Sequence, residues 1–307
     1  MFDKLKSSVA GRPCPVCGST AISGTAFESR IDWEKLDDFA FSSRKTPEMM
    51  SWRMVRCADC DVVYAAEVPS GTTLIDAYHE ADYDSVDEAN YAARSYAKEI
   101  APAAGKLRWR GAAMEIGAGN GAFLTGLKKM GFQDVVGFEP STAAIAAAGP
   151  EARAMLRQGI MEASALEPAS FDLIGCFQTL EHVRDPLQIA RDVHGLLRPG
   201  GMVVFITHNY RGLLNRVLGR RSPIVDIEHL QLFSPRSVRR LLEEAGFSDI
   251  EVRSFWNQYP LRYWLRLLPV SAGLKHALAG FLERLGLGGM AVSANVGNMI
   301  SIGYRVP

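Results

Sequence analysis

Two hydrophobic periods divide this chain. From residue 112 onward, short unbroken apolar runs predict buried strands near 112–117, 134–139, 155–158, 172–178, 202–207 and 249–255. Amphipathic segments between them predict helices near 121–131, 141–148, 185–197 and 235–246. Leu197-Arg-Pro-Gly-Gly201 stops the third of these helices, while Ser234 caps the fourth and Gly246 ends it. Asn298 to Arg305 alternates as a final strand. Strands and helices in strict alternation predict an α/β fold around a largely parallel sheet. Upstream, Thr72 or Thr73 is the expected cap of a helix over 74–79, and a second helix is expected over about 87–101. Tyr78, Tyr83, Tyr91 and Tyr96 in this segment read first as packing residues, with contact to a ligand as the sharper reading.

One junction carries more information than the rest. The strand Ala112 to Ile116 runs into glycines at 117, 119 and 121, with Glu115 two residues before the first. Glycine permits positive φ there and lets a ligand approach main-chain N–H groups with no Cβ in the way. The next strand ends in Glu139, 22 residues after Gly117, where an acid in a doubly wound sheet accepts hydrogen bonds from both hydroxyls of a ribose. A dinucleotide site calls for G-x-G-x-x-G. The spacing here is E-x-G-x-G-x-G, and the distal acid also counts against a glycine-rich turn that binds nothing.

That spacing resembles motif I of class I S-adenosylmethionine (SAM) methyltransferases. Phe171-Asp, Leu180-Glu-His-Val and Leu197-Arg-Pro-Gly-Gly look like the family's later motifs. The stretch from Cys176 to Asn209 is similar to ubiquinone-biosynthesis O-methyltransferases, and Glu228-His-Leu-Gln-Leu-Phe-Ser234 to a related, broadly distributed methyltransferase family. The resemblance covers roughly 73–255 plus the last strand. It implies a Rossmann-like seven-stranded class I sheet of order 3-2-1-4-5-7-6, with the last strand antiparallel. It also implies SAM as cofactor. Glu115, Gly117, Gly119 and Gly121 would surround its methionine part, Glu139 would hold its ribose, Gln178 would approach the methionine from the fourth strand, and Ala118 and Pro140 are further cofactor-binding candidates. Relatives often place an acid just after the glycine that ends strand three. Here Ile160 and Met161 follow Gly159, so apolar packing plus backbone N–H groups are expected at the adenine, with Met161 a cofactor-binding candidate and Glu162 a substitute for the acid.

Cysteine spacing supplies a second motif. Cys14-Pro-Val-Cys17 and Cys57-Ala-Asp-Cys60 are separated by 39 residues. Two such knuckles aim four thiolates at one tetrahedral ion, which predicts a structural zinc ribbon. Two disulfides and an iron–sulfur site are the alternatives. A closed four-cysteine site offers no open position for chemistry, so the ribbon reads as structural or as a substrate clamp. The arrangement resembles the N-terminal ribbons of sugar C-methyltransferases. Trp33, Phe39, Phe41 and Trp52 between the knuckles are expected to form a small core of their own, and Cys176 reads as a buried core residue. The expected organisation is a ribbon at 1–66, a helical connector at 67–110 and a SAM-binding domain at 111–307.

Lysine plus arginine and aspartate plus glutamate both number 34, so net charge is zero and nucleic acid is demoted as a partner. Met1-Phe-Asp-Lys-Leu-Lys lacks an apolar signal core, and no run of about 20 apolar residues spans a bilayer, which points to a cytoplasmic protein. An insertion at about 257–296 reads as two amphipathic helices split by Pro269, with Leu274, Leu278, Phe281, Leu282 and Leu285 on one face. That face docks on the enzyme's own body or a homodimer partner, forms a lid, or meets a membrane surface peripherally. Among six histidines, His182 and His229 are the candidate catalytic bases or substrate contacts, with His208 a weaker third. Glu181 is expected to orient His182 or help hold a divalent ion. The reading is methyl transfer to a small-molecule acceptor, at oxygen in first place. Carbon or nitrogen transfer, an RNA or protein target gripped by the ribbon, and a non-catalytic SAM-binding scaffold are the alternatives.

Overall fold

The apolar runs assemble into one seven-stranded sheet in a computed structural model that describes residues 2–36, 40–41, 48–268 and 270–306. In chain order its strands are Ala112–Ile116, Asp134–Glu139, Leu156–Gln158, Phe171–Phe177, Leu197–His208, Ser248–Ser254 and Asn298–Tyr304. Numbered one to seven, they lie in the order 3-2-1-4-5-7-6. Strand seven runs antiparallel to strands five and six, while strands one to five pair in parallel. This is the class I methyltransferase arrangement. Every residue of the fourth strand is buried, which is why its sequence is a continuous apolar run. Asp172 fastens that strand to the first: its carboxylate accepts Gly111 N–H at 2.7 Å and Ala112 N–H at 3.0 Å, and Arg198 lies 3.1 Å away.

Several boundaries shift for local reasons. The helix after the glycine loop starts only at Leu124, because Gly121 sits at φ +71°. The segment expected as one helix over 141–148 is instead Thr142–Ala146 and then Pro150–Met155, with Pro150 opening the second. Ser70, not Thr72 or Thr73, caps the helix Gly71–Glu80, accepting Thr73 N–H at 3.3 Å. The following helix, Val86–Ala104, outruns its expected end and carries Pro102 inside its last turn.

The cysteine-bearing segment is not self-contained. Ile22–Phe27, Met54–Cys57 and Val63–Ala65 form an antiparallel sheet whose fourth strand, Gln231–Leu232, comes from the catalytic body. The expected private core does not form. Phe41 and Trp52 share a cluster with Leu74 and Ala77 of the helix Gly71–Glu80 and with Ile227 and Leu230; Phe39 lies outside the described residues. Arg12 ties the two parts together, donating to the carbonyls of Ala65, Arg184 and Leu230 and to the Gln231 side chain.

The insertion is a hairpin, Asn257–Pro260 paired with Ala291–Ala294, enclosing the helices Leu261–Leu267 and Ala272–Arg284. Pro269 lies outside the described residues. Tyr263 and Leu265 of the first helix are buried, whereas Leu274, Leu278, Phe281 and Leu285 of the second are exposed. That apolar face therefore does not dock on the chain's own body. No helix among the described residues is long and apolar enough to cross a membrane.

Candidate active site

A cavity of about 900 Å³ opens above the carboxyl ends of strands one, two, four and five. Its floor is the glycine loop. Gly117 has φ +71°, and a Cβ there would lie 2.3 Å from Thr179 Oγ1, so only glycine fits. Gly119 has φ +54° and faces open space, so its backbone lies bare to the cavity. Gly121 packs inward instead: its Cβ would meet that of Ala152 at 3.0 Å, and it does not line the cavity.

Glu139 holds the loop to strand two. Its carboxylate accepts Gly119 N–H at 2.7 Å and Ser141 N–H at 2.8 Å. Burial pushes its carboxyl above the ordinary value, and these two N–H groups partly oppose that. Glu115, Ala118, Pro140, Met161 and Gln178 line the same cavity. Glu162, expected as a substitute at the adenine, does not, and the wall there is Gly159, Ile160 and Met161. Gln178 ends strand four at φ +51°, a strained conformation for a residue with a side chain. Its N–H donates to Ile206 at 2.7 Å, and its Oε1 accepts the Tyr96 hydroxyl at 2.9 Å.

The histidines converge as well. His182 and His229 have ring centres 4.8 Å apart, His208 lies 5.4 Å from His229, and all three line the cavity. His182 Nδ1 is 2.9 Å from the Tyr78 hydroxyl and 3.2 Å from the Glu228 carbonyl. Tyr78 is part-buried there, and desolvation of its hydroxyl, with Glu228, Asp226 and Glu181 nearby, raises its phenol well above normal. Glu181 corrects the expectation made for it: its carboxylate accepts the backbone N–H of His208 at 2.6 Å, not a bond from His182. It is fully buried and does not line the cavity, so it presents no ligand to an ion in it.

The loop carrying Glu228 and His229 is gripped from the cysteine-bearing sheet. Trp52 Nε1 donates to Ile227 O at 2.8 Å, Ala65 N–H to Leu230 O at 2.8 Å, and Arg12 to Leu230 O at 2.9 Å. The four cysteine sulfurs lie within 4.8 Å of one another, with Cys14 to Cys60 at 3.5 Å and Cys17 to Cys57 at 3.7 Å. A tetrahedral ion with Zn–S bonds of about 2.3 Å spaces its sulfurs by about 3.8 Å, so the donor set fits. Gly18 and Asp61, each following the second cysteine of its pair, share left-handed φ values of 72° and 70°. Asp61 keeps that conformation with its carboxylate held by Arg211.

Sequence reasoning missed part of the wall. Tyr78, Tyr83 and Tyr96, read first as packing residues, line the cavity, and Tyr91 does not. Asn298, at the start of strand seven, and Tyr259, Tyr263 and Trp264 of the insertion also line it. The aromatic density of 259–264 was the available signal for the insertion; Asn298 had none.

Residues 89–252 match the family described as "Methyltransferase domain". The chain is 28% identical over 153 residues to a ubiquinone biosynthesis O-methyltransferase of Burkholderia pseudomallei, covering 46% of this chain and 66% of that protein, just under two thirds of its length. A protein of the same description from Ralstonia nicotianae is 27% identical over 198 residues, covering 60% and 81%. Among solved structures, a SAM-dependent methyltransferase from Archaeoglobus fulgidus is similar at 16% identity and a TM-score of 0.48, covering 69% of this chain and 94% of that one. The Haemonchus contortus phosphoethanolamine N-methyltransferase 2 bound to SAM has 18% identity and a TM-score of 0.45, covering 69% and 52%. With the family match spanning more than half of the sequence and the sheet in class I order, the chain belongs to the methyltransferase-domain family and is a class I SAM-dependent methyltransferase.

Proposed function

We propose that this enzyme methylates a hydroxyl oxygen of a small, uncharged, largely apolar acceptor such as a phenol. The observation that carries the reading is the charge of the cavity wall. Arg184 is its one lysine or arginine among the described residues, and that guanidinium is spent on the carbonyls of Val68 and Pro69. Asp82, Asp185 and Glu228 also line it, so a carboxylate or phosphate on the acceptor would meet no free cation. Aromatic and aliphatic side chains of the insertion supply a surface for an apolar ring or chain. A neutral hydroxyl must lose its proton during transfer, and histidine is the usual agent. The sequence first suggested His182 and His229 as base or substrate contacts, and with His208 they form the cluster from which the base is drawn. The curated O-methyltransferases at 27–28% identity support oxygen as the target.

SAM supplies an electrophilic methyl group on a sulfonium. In this reading Glu139 takes the ribose diol, Pro140 flanks it, Met161 packs on the adenine, and Gln178 meets the methionine part with Glu115 and the loop Gly117 to Gly119. Gly121 supports that loop from below. Zinc on Cys14, Cys17, Cys57 and Cys60 would stiffen the ribbon that holds the His229 loop. The domain reading that follows is a ribbon over 1–66, a capping segment over 67–110 and a catalytic domain over 111–307. A cavity roofed by helices 71–80 and 86–104 and by the insertion disfavours RNA or protein as acceptor.

The test is transfer of labelled methyl from SAM to matched acceptors: 4-hexylcatechol, 3,4-dihydroxybenzoate and 4-hexylaniline. Methylation of the catechol in clear preference to the other two is expected. Preference for the carboxylate or the amine overturns the reading.

A further inference from the structure

Three contacts in the cavity wall run in one direction. The Tyr96 hydroxyl donates to Oε1 of Gln178 at 2.9 Å, which turns the amide nitrogen of Gln178 toward Nε2 of His208, 3.4 Å away. On the other side of that ring, Nδ1 lies 2.7 Å from Oδ1 of Asn298. An amide nitrogen only donates and an amide oxygen only accepts. The neutral imidazole of His208 therefore carries its proton on Nδ1 and keeps a lone pair on Nε2. All four residues line the cavity.

Backbone geometry holds the ring in that place. His208 is the last residue of strand five and pairs directly with Asn298 across strand seven, which sets the two side chains side by side. His208 has a side-chain amide against each ring nitrogen, one on each side. His182, by contrast, turns Nδ1 to Tyr78 and the Glu228 carbonyl.

We propose that His208 is the general base of the reaction, with Asn298 as the positioning residue that fixes its tautomer and the Tyr96–Gln178 pair as its second brace. This rests on the reading of the acceptor as a hydroxyl. The acceptor hydroxyl takes the place of the Gln178 amide at Nε2 of His208, its O–H bond breaks and its proton passes to that nitrogen. The acceptor oxygen forms a bond to the methyl carbon as the carbon–sulfur bond of SAM breaks. That electron pair returns to sulfur, leaving neutral S-adenosylhomocysteine, the methyl ether and an imidazolium still bonded through Nδ1–H to Asn298. The titratable groups placed around the ring are Glu181, through the His208 N–H, His229 at 5.4 Å, and Tyr96 through Gln178.

Long-range proton–nitrogen spectra of the ¹⁵N-labelled full chain read the tautomer directly, with His208→Gln assigning the signals. A protonated Nδ1 and bare Nε2 are expected in the wild type, and a mixture of tautomers in Asn298→Leu. Protonated Nε2 in the wild type, or a tautomer unchanged in Asn298→Leu, overturns the proposal. Asn298→Asp replaces a neutral acceptor with a charged one, so the acid limb of kcat/KM with 4-hexylcatechol should move about one pH unit or more toward alkaline. An unmoved limb contradicts the assignment. Asn298→Leu should lower kcat about tenfold or more, and an unchanged kcat also contradicts it; S-adenosylhomocysteine affinity by calorimetry stays within about twofold if the variant is folded. Should the wild type methylate no phenol, the hydroxyl reading fails, while the spectra still decide which nitrogen of His208 holds the proton.

Discussion

Replacing Glu181 with glutamine should stabilise this protein in alkali and leave it unchanged in acid. The side chain is fully buried behind the histidine cluster. Burial pushes its carboxyl from 4.5 up to about 8, opposed only in part by N–H groups of His208 and of Glu181 itself. In the unfolded chain the group titrates near its ordinary value. Between pH 4.5 and about 8 the native state thus holds a proton that the unfolded state has released, so stability falls as pH rises across that window. The difference of 8 − 4.5 = 3.5 units corresponds to roughly 5 kcal/mol above pH 8, an upper bound for a site that relaxes on ionisation. Glutamine carries no charge at any pH and keeps an oxygen for the His208 N–H. Urea melts of wild type and Glu181→Gln at pH 4, 7 and 9 should coincide at the lowest value. They should separate progressively, with the variant more stable by about 2–5 kcal/mol at pH 9. A constant offset at all three, or a wild type that is the more stable at pH 9, would refute the reasoning.

Glu139→Ala should weaken SAM binding by about 1–3 kcal/mol through loss of charge-assisted bonds to the ribose, and an unchanged dissociation constant by calorimetry contradicts it. Because burial raises the Glu139 carboxyl and binding uses its ionised form, wild-type affinity should also fall as pH drops through that raised value; a flat profile into acid counts against the contact. Gly117→Ala puts a Cβ 2.3 Å from Thr179 Oγ1 at φ +71°, so thermal melts should show a loss of more than about 1 kcal/mol, and a wild-type melt excludes that geometry. Cys57→Ser should release zinc and speed hydrogen exchange in residues 226–231, where Trp52, Ala65 and Arg12 grip the loop; elemental analysis that still finds one zinc per chain would refute it.

The core of this fold was readable because its determinants are local. The spacing of Glu115, Gly117, Gly119 and Glu139 fixes a βαβ junction within 25 residues, and the apolar runs fix strands buried on both faces. What escaped depends on distant partners. Nothing in Gln231–Leu232 announces that it completes the cysteine-bearing sheet, because a two-residue strand has no period. Phe41 and Trp52 promised a private core, yet their partners Ile227 and Leu230 lie far along the chain. Glu181 was placed beside His182 by sequence adjacency, whereas the turn after strand four aims its carboxylate at the end of strand five. Asn298 faces His208 only through the antiparallel insertion of the last strand, a pairing that side-chain pattern alone does not register.

The central claim is that the glycine loop and Glu139 form the seat of an adenosyl sulfonium. A crystal structure of the full chain with S-adenosylhomocysteine tests it most directly. The account predicts both ribose hydroxyls within about 3 Å of the Glu139 carboxylate, the amino-acid tail over Gly117 to Gly119 and the sulfur turned toward Gln178. A ligand held elsewhere, or a cleft that takes a nicotinamide dinucleotide in its place, would contradict it.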